Sequence, residues 1–304
     1  MILIVGGSGH LGRATARRLL AQGKEVRIMT RNPAAVADLT RQGAQVVEGD
    51  LRNSAQIQGA CRGAEQVLAA AHALNGKGGN NPASVDDLGN RHLIAAAGDA
   101  GVKHFIFISI QGAGPEHPIE FFRIKYTIEE YLRASGLSYT ILRPSAYMDL
   151  WGELIGEPIL KQGKVTIFGS GENPINFISV DDVAEMICLA LADPRALNRS
   201  IDLGGPENLT MNQVAGIFET LRGQEAEKRH VPLAALRVMS VIMRPLNPAL
   251  ARLIRNSVFM DRADLRFDPA ETNREFPLPL TRFEDWSRAH FGQAATRGKI
   301  VSEM

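Results

Sequence analysis

The residues best placed to do chemistry begin near the start of the chain. An apolar run, Ile2-Leu3-Ile4-Val5, passes into Gly6-Gly7-Ser8-Gly9-His10-Leu11-Gly12 and then into an amphipathic stretch through Leu20. Glycines at 7, 9 and 12 satisfy G-x-G-x-x-G, and those at 6, 9 and 12 satisfy G-x-x-G-x-x-G. A strand ending in such a turn, with a helix opening behind it, lets bare backbone approach a pyrophosphate. The helix N-terminus supplies N–H groups and the positive end of its dipole. The spacing therefore predicts a dinucleotide site over Gly6 to Gly12, with Ser8, His10 and Leu11 as the intervening contacts. His10 reads as a phosphate-side or packing residue, because no partner for acid–base work is identifiable beside it. Farther along, Lys125 follows Phe121 by four residues, which places both on one face of a helix predicted over 118–135. An ammonium there can act as an electrostatic partner or donor to a developing oxygen charge. Phe121 offers no exchangeable proton. His72, directly after the apolar run Gln66–Ala71, titrates near neutrality and is either a proton source or a structural histidine. Ser109 closes the run His104–Ser109 and is either a hydroxyl donor or a strand-end serine bonded to its own backbone.

The end of the second apolar run, Thr30-Arg31-Asn32, decides between nicotinamide cofactors. An acid about 20 residues past the glycines would bind a ribose 2′-hydroxyl, whereas an arginine receives a 2′-phosphate. No acid is present there, and a guanidinium can grip phosphate in two places. NADP(H) is therefore expected in preference to NAD(H), with Arg31 as the phosphate ligand, Arg13 as a second candidate, and an ordinary solvated Arg31 as the alternative. Asp50, past the third run, is placed either to accept from an adenine amine or to cap a helix. Leu51 beside it and Ala71 beside His72 complete the expected cofactor contacts.

These residues need a scaffold, and the order of elements supplies one. Apolar runs at 2–5, 25–29, 44–48, 66–71, 104–109 and 138–142 alternate with helical patterns bounded by Gly, Pro, Asn or Ser. The rhythm predicts an α/β chain: a doubly wound parallel sheet of the Rossmann type, apolar on both strand faces because helices cover both. After Pro144 the rhythm breaks. The expected division is a dinucleotide-binding domain over 1–150, rejoined by 176–203, and a smaller, mostly helical lobe over 151–304. The 304 residues carry 34 Lys and Arg against 33 Asp and Glu, a net charge of +1. That balance gives no global electrostatic case for nucleic acid or an anionic surface. Cys61 and Cys188 stand alone, with no CxxC or Cys/His cluster, so neither a disulfide framework nor a metal site is expected. The start lacks the features of a signal peptide, and no window of ~18 apolar residues suggests a membrane span. A cytoplasmic location is expected.

The motifs also carry a family likeness. VGGSGHLG, TRNP, GDLRN, DDLGNRHLIAAAGDAGVKHFIFIS, SGLSYTILRP, FISVDDVAE and IDLGGPENLT occur in the order seen in short-chain dehydrogenases/reductases. More narrowly, the chain resembles their atypical, NmrA-like NAD(P)H-binding branch over about residues 1–220. That resemblance implies NADPH-dependent reductases of quinones and dyes, redox sensors without turnover, or accessory subunits of respiratory complexes. It also implies that Lys125 bonds the nicotinamide ribose and that Ser109 stands at the family's serine position. The family's tyrosine is replaced by Phe121, and Tyr126 does not substitute for it, being about 100° round the helix.

An acceptor whose developing charge is delocalised needs no strong protein acid, and placement over the nicotinamide supplies much of the rate. The expected function is thus an NADPH-dependent reductase of a quinone-like or other conjugated small molecule. The alternative is a non-catalytic NADP(H)-binding sensor or accessory subunit. The substrate pocket is expected to draw on Tyr147, Met148 and Trp151, with core packing as the competing role. Between Lys228 and Met260 there are six Lys and Arg and no acid, on a segment rich in Leu, Met, Val and Ile. This is either a surface for a membrane or protein partner or a cap of helices with a solvated basic face. Nothing in the pattern selects between monomer and homodimer.

Overall fold

The computed structural model describes residues 1–74, 76 and 79–302, with backbone alone at 249 and 293–302. The strands are β1 (Ile2–Val5), β2 (Val26–Thr30), β3 (Gln45–Glu48), β4 (Gln66–Ala69), β5 (His104–Ile108), β6 (Tyr139–Pro144), β7 (Ala146–Tyr147), β8 (Lys164–Phe168), β9 (Ile175–Ile178), β10 (Arg199–Leu203), β11 (Asn208–Leu209) and β12 (Glu227–Val231). Seven of them form one sheet in the order β10-β6-β5-β4-β1-β2-β3. Every pairing in it is parallel. The order reverses at β1, so the carboxyl ends of β1 and β4 open the crevice in which this topology binds its ligand.

Helices α1 (His10–Ala21), α2 (Ala37–Arg41), α3 (Ser54–Cys61), α4 (Asn90–Asp99) and α5 (Glu120–Arg133) make the crossovers. Strands β1 and β5 are buried at every position, which is why they read as continuous apolar runs rather than alternating ones. On one face, Leu3, Val67, Phe105 and Phe107 pack with Leu93, Ile128 and Leu132 from α4 and α5. On the other, α1 lies beside the helix Val180–Ala192, and Arg18 bonds Asp181 at 2.6 Å.

The chain divides into two compact units. The first comprises Met1–Pro144, Val180–Leu203 and Thr272–Leu278; the second comprises Ser145–Ser179, Gly204–Glu271 and Pro279–Met304. Within 176–203, the helix Val180–Ala192 lies in the first unit and β10 pairs with β6 in the seven-stranded sheet. Strand β9 instead pairs with β7 and β11 in a three-stranded sheet of the second unit. Its apolar residues are buried there: Ile175 and Phe177 pack with Met148, Phe218, Phe283 and Trp286, and Phe177 meets Phe283 edge to face at 5.3 Å. Among the described residues no helix is long and apolar enough to cross a membrane.

Candidate functional site

The glycines after β1 are required by space as well as by backbone angle. Gly6 has φ +94°, and a Cβ on it would lie 2.6 Å from the Ala71 nitrogen. A Cβ on Gly7 would meet Ile28 Cγ2 at 2.5 Å. On Gly12 it would collide with the Gly6 carbonyl, so the first turn of α1 can close on the β1 loop only without a side chain there. Gly9 differs. Its nearest neighbour to an added Cβ is the Gly6 oxygen at 3.4 Å, an ordinary contact, and it is exposed together with Ser8 and His10. Gly9 is also the N-cap of α1 and gives that helix no side-chain cap. The fold explains Gly6, Gly7 and Gly12; Gly9 keeps open space in front of a helix N-terminus, which fits a pyrophosphate. Leu11 is buried beneath the loop.

At the end of β2, Arg31 is exposed and Nη1 donates to Asn80 Oδ1 at 3.2 Å. Arg13 is committed elsewhere, with both oxygens of Asp38 at 2.7 Å from its Nη2. Arg31 is thus the less encumbered of the two candidates for a 2′-phosphate. Asp50 is not the cap of α3: Asn53 fills that place, accepting from the Gln56 N–H at 3.2 Å. Asp50 instead accepts from the Arg52 backbone N–H at 2.9 Å and pairs with its guanidinium at 2.6 Å. The Arg52 hydrogen bond is the chief reason its carboxyl sits below the usual range, and the Arg31 charge adds to this. Leu51 is buried beside it.

The loop after β4 links this cradle to the centre of the site. Ala71, against Gly6, leads into His72, whose ring meets Phe121 edge to face at 6.4 Å. His72 is accessible to solvent, yet its pKa is lowered, first by burial, then by the Lys125 charge, with Asp86 opposing. Lys125 is buried with only 4% of its side chain exposed, and Asp86 facing it has 0%. Its Nζ donates to the Ile108 carbonyl at 3.2 Å and lies 3.2 Å from Asp86 Oδ1. That approach is off the hydrogen-bond direction, since Oδ1 has no hydrogen-bond partner, so the contact is charge against charge. Phe107 and Phe121 flank the ammonium, with ring centroids at 5.0 and 5.3 Å. The other Asp86 oxygen accepts from the Ala73 N–H at 2.8 Å. Asp86 therefore ties the His72 loop to α5.

Asp86 reaches that position from a widened, π-helical turn over Ala83–Gly89 that runs directly into α4. Asn90 supports the turn, its side-chain amide donating to the Asp86 carbonyl at 2.8 Å. Such turns recur at functional sites. Asp86 is not among the site residues that the motifs point to. A carboxylate in Asp86-Asp87 reads as a solvated helix start, and the π-helical turn that buries it departs from α-helical periodicity.

Residues 1–273 match the NmrA-like family. The chain belongs to that family. It is 27% identical over 303 residues to the photosystem II assembly factor Ycf39 of Trieres chinensis, covering 95% of this chain and 92% of that protein. It is also 27% identical over 225 residues to the NAD(P)H azoreductase of Xenophilus azovorans, covering 74% of each. Among solved structures it resembles the NADPH-dependent quinone oxidoreductase QOR2 of Escherichia coli complexed with NADPH, with a TM-score of 0.75 and 20% identity over 98% of this chain and 99% of that one. At that identity the likeness concerns the fold.

In this NmrA-like chain, the serine at the end of β5 is buried and engaged by a carboxylate. Ser109 Oγ donates to Glu129 Oε1 at 2.5 Å. Glu129 is fully buried and also accepts from Arg143 at 2.9 and 2.5 Å and from Arg133 at 3.0 Å. Glu129 is the first cause of the raised Arg143 pKa. The partner of Ser109 is thus neither its own backbone nor open space but a charge cluster joining α5 to β6. In the second unit, Met148 is fully buried in the core. Trp151 stands edge-on to Phe177 at 6.4 Å. The Tyr147 hydroxyl is buried without a hydrogen-bond partner, and burial raises its pKa.

Proposed function

We propose that the chain is an NADPH-dependent reductase of a quinone-like or otherwise conjugated small molecule, working without a tyrosine proton donor. The observation that carries this proposal is the junction along one sheet edge. The glycine cradle abuts Ala71, Ala71 leads into His72, and His72 feels the charge of Lys125. When bound, NADPH would supply the hydride.

The protein's part is positioning and electrostatics. Gly9 and the α1 N-terminus receive the pyrophosphate, and Arg31 takes the 2′-phosphate, which NADH lacks. Lys125 has three N–H donors. One is held by Ile108 and one side of the ammonium faces Asp86, so its orientation is set before any ligand arrives. A fixed positive charge stabilises negative charge developing on an acceptor oxygen. His72, its pKa lowered, is neutral at physiological pH. It can donate a hydrogen bond but is a poor proton source, so water delivers the proton. A conjugated acceptor tolerates this because it spreads the incoming charge, whereas a simple ketone needs a positioned acid, which Phe121 is not. The name of the azoreductase relative supports the same class of acceptor. Cys61 and Cys188 are both free and buried, in keeping with a reducing, cytoplasmic setting.

A second function, cofactor binding without turnover in a sensor or assembly factor, is favoured by a specific observation. Both polar side chains nearest the end of β5, Ser109 and Lys125, are engaged in buried charge clusters with Glu129 and Asp86. The similarity to Ycf39 points the same way.

The test is oxidation of NADPH, followed by loss of its absorbance, against quinones, azo and triphenylmethane dyes and simple aldehydes, with binding measured in the same samples. Turnover is expected with the conjugated acceptors and not the aldehydes. It should fall in Lys125→Met made together with Asp86→Asn, a pairing that leaves no buried charge alone. Arg31→Ala should weaken NADPH by about 10- to 100-fold, the worth of a hydrogen bond to a charged group, and leave NADH nearly unchanged. Saturable NADPH binding with no oxidation by any acceptor would select the second function, and no binding would sink both.

A further inference from the structure

Of the ten large apolar side chains exposed among the described residues, six lie between Val238 and Leu250: Val238, Met239, Val241, Ile242, Leu246 and Leu250. Five of the six belong to the helix Leu233–Leu246, where Val241 is 72% and Leu246 74% exposed. With 3.6 residues per turn, Val238, Met239, Val241, Ile242 and Leu246 fall within an arc of about 160°. Leu236, on the opposite side, is fully buried. The helix is thus anchored by one edge and turns a wide apolar face outward. Arg237 and Arg244, both exposed, stand seven residues apart, about two turns, and share one border of that face. The next helix, Pro248–Met260, packs against it and adds exposed Arg255. From Lys228 to Met260 there is no acidic residue.

An exposed apolar face of this kind needs a partner, and its charge selects among them. A second copy docking through the same patch would make an isologous contact, setting arginines against arginines with no acid in the segment to answer them. An anionic lipid surface answers them directly. The helix has 14 residues, about 21 Å at 1.5 Å per residue, too short to span a bilayer core of about 30 Å. It can lie in the interface, apolar side chains inserted and arginines reaching the headgroups. We propose that the helix Leu233–Leu246 docks this protein onto an anionic bilayer surface, with Val238, Val241, Ile242 and Leu246 entering the acyl boundary and Arg237 and Arg244 at headgroup level. The helix belongs to the second unit and the glycine cradle to the first, and the test below uses no cofactor, so this proposal stands or falls independently of the reductase function.

The experiment is co-sedimentation of the full chain with phosphatidylglycerol/phosphatidylcholine vesicles and with pure phosphatidylcholine vesicles, at low and physiological salt. Binding to the anionic vesicles is expected, weakening as salt rises. Arg237→Ala with Arg244→Ala should lower that partition on the order of 30-fold, about 5-fold for each charge near the surface. Val241→Asp with Ile242→Asp should abolish it, with the thermal midpoint and circular dichroism unchanged because both side chains are exposed. No binding to anionic vesicles at low salt would overturn the proposal. So would equal binding to both vesicle types, or an aspartate variant that binds like the parent. A wild-type dimer that the aspartate variant converts to monomer, without vesicle binding, would assign the face to a second copy instead.

Discussion

Replacing Asp86 by Asn tests whether the buried ammonium of Lys125 depends on one carboxylate. Asparagine keeps the shape and still offers an oxygen to the Ala73 N–H, so the change isolates the charge. At the 3.2 Å separation, two unit charges attract by about 5 kcal/mol at an effective dielectric of about 20. The approach is off the hydrogen-bond direction, which argues for the lower end of the 3–5 kcal/mol typical of orphaning one member of a buried pair. Asp86→Asn should therefore cost the first unit about 3 kcal/mol, a large share of an ordinary domain stability of about 5–15 kcal/mol. Lys125→Met with Asp86→Asn removes both charges and should recover most of that loss. The probe must report the right unit. Trp151 and Trp286, the two tryptophans, both belong to the second unit, so fluorescence would miss the effect. Amide hydrogen exchange along β4 and β5 reports the first unit directly. A loss below about 1 kcal/mol for Asp86→Asn, or a double variant no more stable than the single one, would refute the claim that charge compensation holds this centre together.

Two further predictions concern the cradle and the pH response. Gly9→Ala introduces a Cβ with only an ordinary 3.4 Å neighbour at φ −79° and ψ 168°, which any residue adopts; it should leave the melting temperature unchanged and weaken NADPH binding at least tenfold, whereas Gly12→Ala should lower the melting temperature and solubility. Equal NADPH affinity for Gly9→Ala and the parent would remove the pyrophosphate from that position. His104 is buried, and burial lowers its pKa to about 4. Thr140 Oγ1 donates to the Ala196 carbonyl at 2.7 Å, so the 2.8 Å contact between His104 Nε2 and Thr140 has the imidazole N–H as donor. A folded pKa of about 4 against about 6.5 unfolded means that the unfolded chain binds the proton first as pH falls. The contribution of His104, about 3 kcal/mol, is then fully present above pH 6.5 and lost as pH falls towards 4. Urea unfolding at pH 7 and pH 5 should show about 2 kcal/mol of that loss, and His104→Gln should remove the part due to this residue.

Legibility followed how local each signal was. The parallel sheet was readable because strands covered on both faces are apolar throughout, and because the glycine loop fixes where the first strand ends. Strand β9 was harder: Ile175, Phe177 and Ile178 are apolar and buried like the residues of a strand of the large sheet. Only the pairing with β7 and β11 assigns it to the second unit. The family resemblance directed attention to Lys125, but the carboxylate facing it lies 39 residues earlier, in a turn whose π-helical geometry no periodicity announces. The engagement of Ser109 was hidden for a related reason. Glu129 follows Lys125 by four residues and reads as a solvated helix position; its burial depends on Arg143 arriving from β6.

These buried charge pairs bear on the missing tyrosine. Where the family resemblance leads one to expect a phenol, Phe121 is buried, edge-on to His72 and close to the Lys125 ammonium. A phenol at that point would share the ammonium's charge and be acidified by it. In this chain Asp86 takes the charge instead, so the centre is neutral as a pair and holds no group that Lys125 could turn into an acid. In the proposed function the lysine is left with one task, electrostatic placement, which a ribose hydroxyl or an acceptor oxygen can use equally. That is why the same geometry accommodates both hydride transfer to a conjugated acceptor and binding without turnover. The difference between them then lies in whether an acceptor that needs no protein proton can stack beside His72, which a panel of acceptors decides and a mutation of Lys125 alone does not.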